Sequence, residues 1–228
     1  MIPPEAKKAR ETVVLLHGVL RTRRCMMALA ARLESAGYRT VNHTYPSRTM
    51  PLPRLAGEWL PEVLARNAIA AAPRVHFVAH SMGTLLVRHL MAHAKPANIG
   101  RIVFLGPPSR GSELADAGRP RWLFELVVGA NLHALGKSAD AFWRTLPQAV
   151  DYPAGIVIGT GRGNPFGRNL PKPNDGTVTV AETKIDGVAD TIEFPFSHAG
   201  MLRKHETAEQ TLHFLREGRF NHTRRRPV

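Results

Sequence analysis

Short apolar runs alternate with longer stretches of helical periodicity along the chain, and glycine, proline or a polar turn closes each run. Thr12-Val13-Val14-Leu15-Leu16 is β-branched and aliphatic throughout and ends in His17-Gly18, which suits a strand buried on both faces. Met26, Met27, Leu29, Ala30 and Leu33 then recur at helical spacing, predicting a helix from about Arg23 to Glu34 with Gly37 as its stop. The same reading predicts a strand from Tyr38 to Tyr45 and a helix from about Leu55 to Ala72, with Pro61 as a kink. A strand from Arg74 to Ala79, a helix from Met82 to Ala94 and a strand from Ile99 to Leu105 follow.

Residues 112–153 break this rhythm with aromatic, mostly helical segments between glycines and prolines, and read as a small cap or one wall of a site. Strands return at Gly155 to Thr160 and at Thr191 to Phe196, and a helix from about Ala199 to Leu215 closes the pattern. Strict strand–helix alternation calls for a mostly parallel central sheet with helices on both faces. Ligands of such sheets bind at the carboxyl ends of the strands. The 228 residues, 43% of them hydrophobic, fit a single α/β domain over 1–228 with a cap insertion at 112–153 and a basic tail at 216–228.

Charge adds little to this picture. Lys+Arg 31 against Asp+Glu 18 leaves +13, with the basic residues spread along the chain. No aromatic-basic stacking pattern accompanies them, so no specific nucleic-acid partner is expected, only weak association with anionic surfaces. Cys25 is the single cysteine, which excludes an intrachain disulfide. No apolar run reaches the roughly 18 residues of a membrane span or the core of a signal peptide, so the expectation is a cytoplasmic protein.

The chemistry centres on Ala79-His80-Ser81-Met82-Gly83, set between an apolar strand and a helix. This is the pattern of a nucleophile elbow, in which a tight strand-to-helix turn presents a serine hydroxyl. Positions two before and two after the serine crowd its backbone and need small residues, as Ala79 and Gly83 are. The pentapeptide arises by chance in roughly one chain in five of this length, so its context decides. A serine needs a base and an acid to orient that base. Asp175, in Asn174-Asp175-Gly176 after the Ile156 strand, is the candidate acid, with Asp151, Asp186 and Asp190 as rivals. His198, in Ser197-His198-Ala199-Gly200 after the last strand, is the candidate base.

These motifs, in this order, make residues from about 12 to 215 resemble the α/β-hydrolase family, and within it the small bacterial lipases and esterases, some of which carry alanine at the first elbow position. The resemblance implies a cofactor-free, metal-free serine hydrolase acting on a small-molecule or lipid ester through an acyl-Ser81 intermediate. It also implies an oxyanion hole formed by the backbone N–H groups of Met82 and Val19, with Leu20 as the alternative to Val19. Leu20, Trp122, Phe124, Leu126 and Trp143 are the candidate pocket residues, and Ser109 and Ser112 are expected to line the site. His17 and His80 read as packing or loop hydrogen bonds, and His76 with His80 lacks the third ligand a metal needs. An acyltransferase or thioesterase on the same triad, and a non-catalytic hydrolase-fold binding module with a basic surface, are the alternatives. Nothing in these motifs sets the oligomeric state.

Overall fold

The computed structural model describes residues 9–116, 129–161 and 167–224. Six strands, β1 (Thr12–Leu16), β2 (Arg39–Asn42), β3 (Val75–His80), β4 (Ile99–Leu105), β5 (Ala154–Gly159) and β6 (Asp190–Phe194), form one sheet in the order β2-β1-β3-β4-β5-β6. Every pairing is parallel. The elements fall where the alternating pattern predicts, within a few residues.

Side chains of a strand alternate between faces, so each central strand feeds two cores. Val14, Leu16, Phe77, Ala79, Ile102 and Phe104 enter one, beneath the helix Gly83–His93 and the helical run that starts at Leu52. Val13, Leu15, Val78, Val103, Leu105 and Val157 enter the other, beneath the helices Met27–Ser35 and His205–Glu217. Burial on both faces explains why β1, β3 and β5 are buried at every position and mostly apolar, with Thr12, His76 and His80 as the polar exceptions. The edge strand β6 alternates instead, with only Ile192 buried.

Three elements depart from the pattern for identifiable reasons. The second helix begins at Leu52, not Leu55, and passes through a π-helical stretch, Leu55–Trp59, before resuming as Leu60–Arg66. Pro61 has no N–H to return to the preceding turn, and the Leu60 N–H reaches back to the Leu55 carbonyl just before it. The predicted kink is thus a widened turn. Strand β2 stops at Asn42 because Tyr45 turns inward onto His17. The last helix is split into a 3-10 turn, Gly200–Arg203, and the α-helix His205–Glu217, which ends at Gly218 with φ 77, a left-handed cap that glycine adopts without strain.

In the expected cap, the described residues form short turns of helix at Glu113–Asp116, Gly129–Asn131, Leu132–Leu135 and Phe142–Thr145. Trp122, Phe124 and Leu126 lie outside the described residues. Buried Asn131 anchors this segment: its amide N–H groups donate to the Ser47 and Met50 carbonyls at 2.8 and 3.0 Å, and its oxygen accepts the Leu52 N–H at 2.6 Å. Arg88 adds a second tie, donating to the Ser109 and Pro147 carbonyls from inside the protein.

Candidate active site

Strand β3 runs fully buried into Ser81, whose φ of 55 places a non-glycine residue in the left-handed region. Neighbouring hydrogen bonds hold it there. The Ser81 N–H donates to the Leu105 carbonyl at 3.0 Å, and the Ser81 carbonyl accepts both the Thr84 N–H and the Thr84 hydroxyl, at 2.9 and 2.7 Å. A Cβ on Gly83 would lie 2.7 Å from the His17 carbonyl oxygen, so glycine is required for the helix to start this close to β1. A Cβ on Gly18 would lie 2.9 Å from the Ser81 Cβ, which shows how tightly the loop after β1 presses on the serine.

Asp175 and His198 meet across the loops that follow β5 and β6. The His198 Nδ1–H donates to Asp175 Oδ2 at 2.6 Å, and the His198 backbone N–H donates to the Asp175 carbonyl at 2.9 Å. The other carboxylate oxygen accepts the N–H groups of Thr177 and Val178 at 2.9 and 2.7 Å. With its proton on Nδ1, the imidazole keeps a bare Nε2, and that atom is buried without a hydrogen-bond partner among the described residues. No hydrogen bond joins it to Ser81 in this resting geometry, and such catalytic contacts often tighten only around a substrate. Gly106, at φ 55, lies against the pair: a Cβ there would come within 3.1 Å of His198 Nδ1 and 3.2 Å of Asp175 Oδ2.

Two further histidines frame the serine. His80 is buried, with its ring centroid 4.6 Å from that of His198, and its Nε2–H donates to the His198 carbonyl at 2.9 Å. Burial, with His198 adding to it, holds the His80 imidazole well below its ordinary pKa, so the ring is neutral. Burial also lowers His17. His17 Nδ1–H donates to the Gly18 carbonyl at 2.8 Å while Nε2 accepts the Tyr45 N–H at 3.2 Å. The Tyr45 ring stacks on it with centroids 3.9 Å apart, and the Tyr45 hydroxyl donates to the His17 carbonyl. These contacts shape the loop that carries Val19. Among the described residues, neither the Val19 nor the Met82 N–H donates a hydrogen bond.

The profile of the alpha/beta hydrolase family matches residues 13–198. The chain belongs to this family. No curated protein sequence matches it significantly. Among solved structures it is similar to the mature Bacillus licheniformis lipase BlEst2, at 19% identity and a TM-score of 0.71 over 91% of this chain and 93% of that one. It is also similar to the Pyrococcus furiosus esterase Pf2001, at 16% identity and a TM-score of 0.61 over 91% and 83%. The phospholipase PlaB from Legionella pneumophila aligns at 17% identity and a TM-score of 0.67, over 90% of this chain but 57% of that longer one.

Within this α/β-hydrolase chain the rival aspartates are engaged elsewhere. Asp151 pairs with Lys95 at 2.9 Å, Asp186 lies 3.8 Å from Arg110, and Asp190 accepts the Phe220 N–H at 2.7 Å and pairs with His222. His76 bonds Glu11 at 3.1 Å and accepts the Arg101 N–H, far down β3 from the serine. Ser109 and Ser112 are buried on the loop after β4. Trp143 is packed inward with its indole N–H on the Gly136 carbonyl. With Arg110, Arg144 and Gln148 it lines an open depression of about 510 Å³ to which Ser81, Asp175 and His198 do not contribute. Leu20 is 45% exposed, on the loop after β1. Among the described residues no three metal-ligating side chains cluster, and no helix is long and apolar enough to cross a membrane. Sequence reasoning missed Tyr45 and Gly106. The Leu105-Gly106-Pro107 strand ending was the only signal for the latter.

Proposed function

We propose that this α/β hydrolase cleaves carboxylic esters through an acyl-Ser81 intermediate, with His198 as general base and then acid and Asp175 as its orienting partner. The observation that carries this reading is the buried Asp175–His198 hydrogen bond of 2.6 Å, which leaves the bare Nε2 as the only proton acceptor of that ring. Ser81 Oγ adds to the ester carbonyl carbon as its proton passes to His198 Nε2. The imidazolium so formed is stabilised by Asp175, whose second oxygen is already satisfied by two backbone N–H groups. The Met82 and Val19 N–H groups take up the oxyanion, each worth on the order of 3 kcal/mol in the transition state. His198 then returns the proton to the departing alcohol. Water, activated by the same nitrogen, releases the acid and regenerates Ser81.

Hydrolysis of p-nitrophenyl esters from acetate to palmitate by wild type and Ser81→Ala tests the reading. Turnover is expected to fall by a factor of about 10⁴ or more in the variant. A fluorophosphonate probe is expected to label wild type at Ser81 and leave the variant unlabelled. Equal turnover by both proteins, or labelling at another serine, would remove Ser81 from the mechanism.

A further inference from the structure

The loop after β1 and the start of the first helix bear the two exposed large apolar side chains among the described residues, Leu20 at 45% and Met27 at 53%. Between them stand Arg21, Arg23 and Arg24, all exposed. Leu20 has φ 62 in a turn closed by the Arg21 N–H on the Gly18 carbonyl, a position that normally takes glycine. A leucine there costs roughly 1 kcal/mol of backbone strain and still leaves nearly half of its surface in water.

The loop is fixed in place. The Arg23 N–H donates to Thr44 Oγ1 at 3.0 Å, and Asn42 Nδ2 donates to the Arg23 carbonyl at 3.1 Å. It packs against the Gly200–Arg203 turn just beyond His198, and the guanidinium groups of Arg21 and Arg203 both act on the Cys25 thiol. Arg203 and Lys204 therefore extend the basic surface around the same end of the sheet. Residues 12–33 and 194–205 contain no Asp or Glu, and the next acid, Glu206, opens the following helix. Among the described residues none of these five cations makes an ion pair, whereas Arg54, Arg66 and Lys95 each do.

We propose that this rim, Leu20 and Met27 set among Arg21, Arg23, Arg24, Arg203 and Lys204, docks the protein on an anionic lipid surface with the mouth of the Ser81 site facing the membrane. Unpaired cations attract the surface charge, and the two apolar side chains enter the boundary between headgroups and acyl chains. A nucleic acid would use the cations but leaves an exposed leucine and methionine beside them without an apolar partner. The proposal rests on the esterase reading for its purpose, the delivery of a lipid ester to Ser81, and not for the binding itself.

Vesicle flotation with full-length Ser81→Ala protein separates the two. At about 0.1 M salt it is expected to float with phosphatidylcholine vesicles containing 30% phosphatidylglycerol and not with pure phosphatidylcholine. Arg23→Gln/Arg24→Gln is expected to weaken partitioning by a factor of about 30, each arginine near an anionic surface contributing about five- to sixfold. Met27→Gln is expected to weaken it further. The charge-matched control Arg54→Gln/Arg66→Gln is expected to bind as wild type, and circular dichroism checks that all variants are folded. No anionic binding, equal binding to neutral vesicles, or an equal loss in rim and control variants would overturn the proposal. So would partitioning insensitive to Met27→Gln with comparable retention on heparin, which would mark a general polyanion surface. Binding without any esterase activity in wild type would leave the docking surface standing and sink the esterase reading.

Discussion

The two sides of Ser81 are built by different physics. On the β5–β6 side, the Asp175 carboxylate and the His198 imidazole make three hydrogen bonds, one of them between the two, further ones hold the backbones of these residues, and the polar atom left over is the nitrogen needed for proton transfer. On the β1 side, close packing joins the hydrogen bonds of His17: Gly18 lies against Ser81, Gly83 against the His17 carbonyl, and Tyr45 stacks on His17. A charged pair taken out of water needs its lone pairs satisfied. A pair of backbone donors awaiting a substrate oxygen needs the reverse, a fixed position with nothing bonded to it. On the proposed mechanism, the comparison teaches that hydrogen bonds between side chains position the acid and base, while close packing keeps the Val19 and Met82 N–H groups in place with nothing bonded to them.

The largest effect expected on the hydrogen-bonded side is from Asp175→Asn, which keeps the shape but turns an amide N–H towards His198 Nδ1 and favours the wrong tautomer. Under the proposed mechanism kcat drops about 10⁴-fold with little change in KM, measured by steady-state ester hydrolysis. On the steric side, Gly18→Ala introduces a Cβ 2.9 Å from that of Ser81 and moves the Val19 donor. A loss of about 10² to 10³ in kcat is expected, the cost of one oxyanion donor, with melting temperature shifted by only a few degrees. If Gly18→Ala were as active as wild type, the steric half of the comparison would fail.

The buried histidines sharpen it further through pH. His80, His17 and His76 all have imidazole pKa values held down by burial. Above the ordinary imidazole value of about 6.5 they are neutral folded or unfolded and cost nothing; below it the unfolded chain takes up protons that the folded rings refuse. Stability is therefore lost as pH falls from about 6.5 towards the folded values. Urea titrations between pH 7.5 and 5 are expected to show this decline, with a shallower slope in His80→Asn. A stability that rose on acidification would show the rings to be charged in the folded state.

Smaller effects come last. Tyr45→Phe removes the hydroxyl from the His17 carbonyl while keeping the stacked ring, and about 1 kcal/mol of stability is expected to go with it, read from the urea midpoint. Leu20→Gly relieves the left-handed strain, and a gain of up to about 1 kcal/mol, or some 2–4 °C in melting temperature, is expected.

The sheet was legible in the sequence because buried parallel strands are predominantly apolar runs closed by turn residues, and all six appear close to their predicted places. The elbow was legible because Ala79 and Gly83 answer a local steric demand. Which aspartate meets His198 was not decided by spacing: Asp151, Asp175, Asp186 and Asp190 all lie within reach in sequence. The fold-back of the Asn174–Thr179 turn selects Asp175 as the hydrogen-bond partner. Tyr45 and Gly106 escaped notice because their roles depend on which strands become neighbours. Tyr45 is 28 residues from His17, and β2 brings it there only by pairing beside β1. The π-helical turn before Pro61 read as a kink because a period of 3.6 cannot anticipate where one residue will be inserted.

The order β2-β1-β3-β4-β5-β6 leaves the imidazole to the loop after the last described strand, while the serine stands on the central β3. During synthesis from the amino terminus the elbow emerges early and the ring that would activate it emerges more than a hundred residues later. A growing chain thus carries a mute hydroxyl, and the assembled site is a certificate that β5 and β6 have both docked. On the proposed mechanism, first turnover reports the completion of folding and not its beginning.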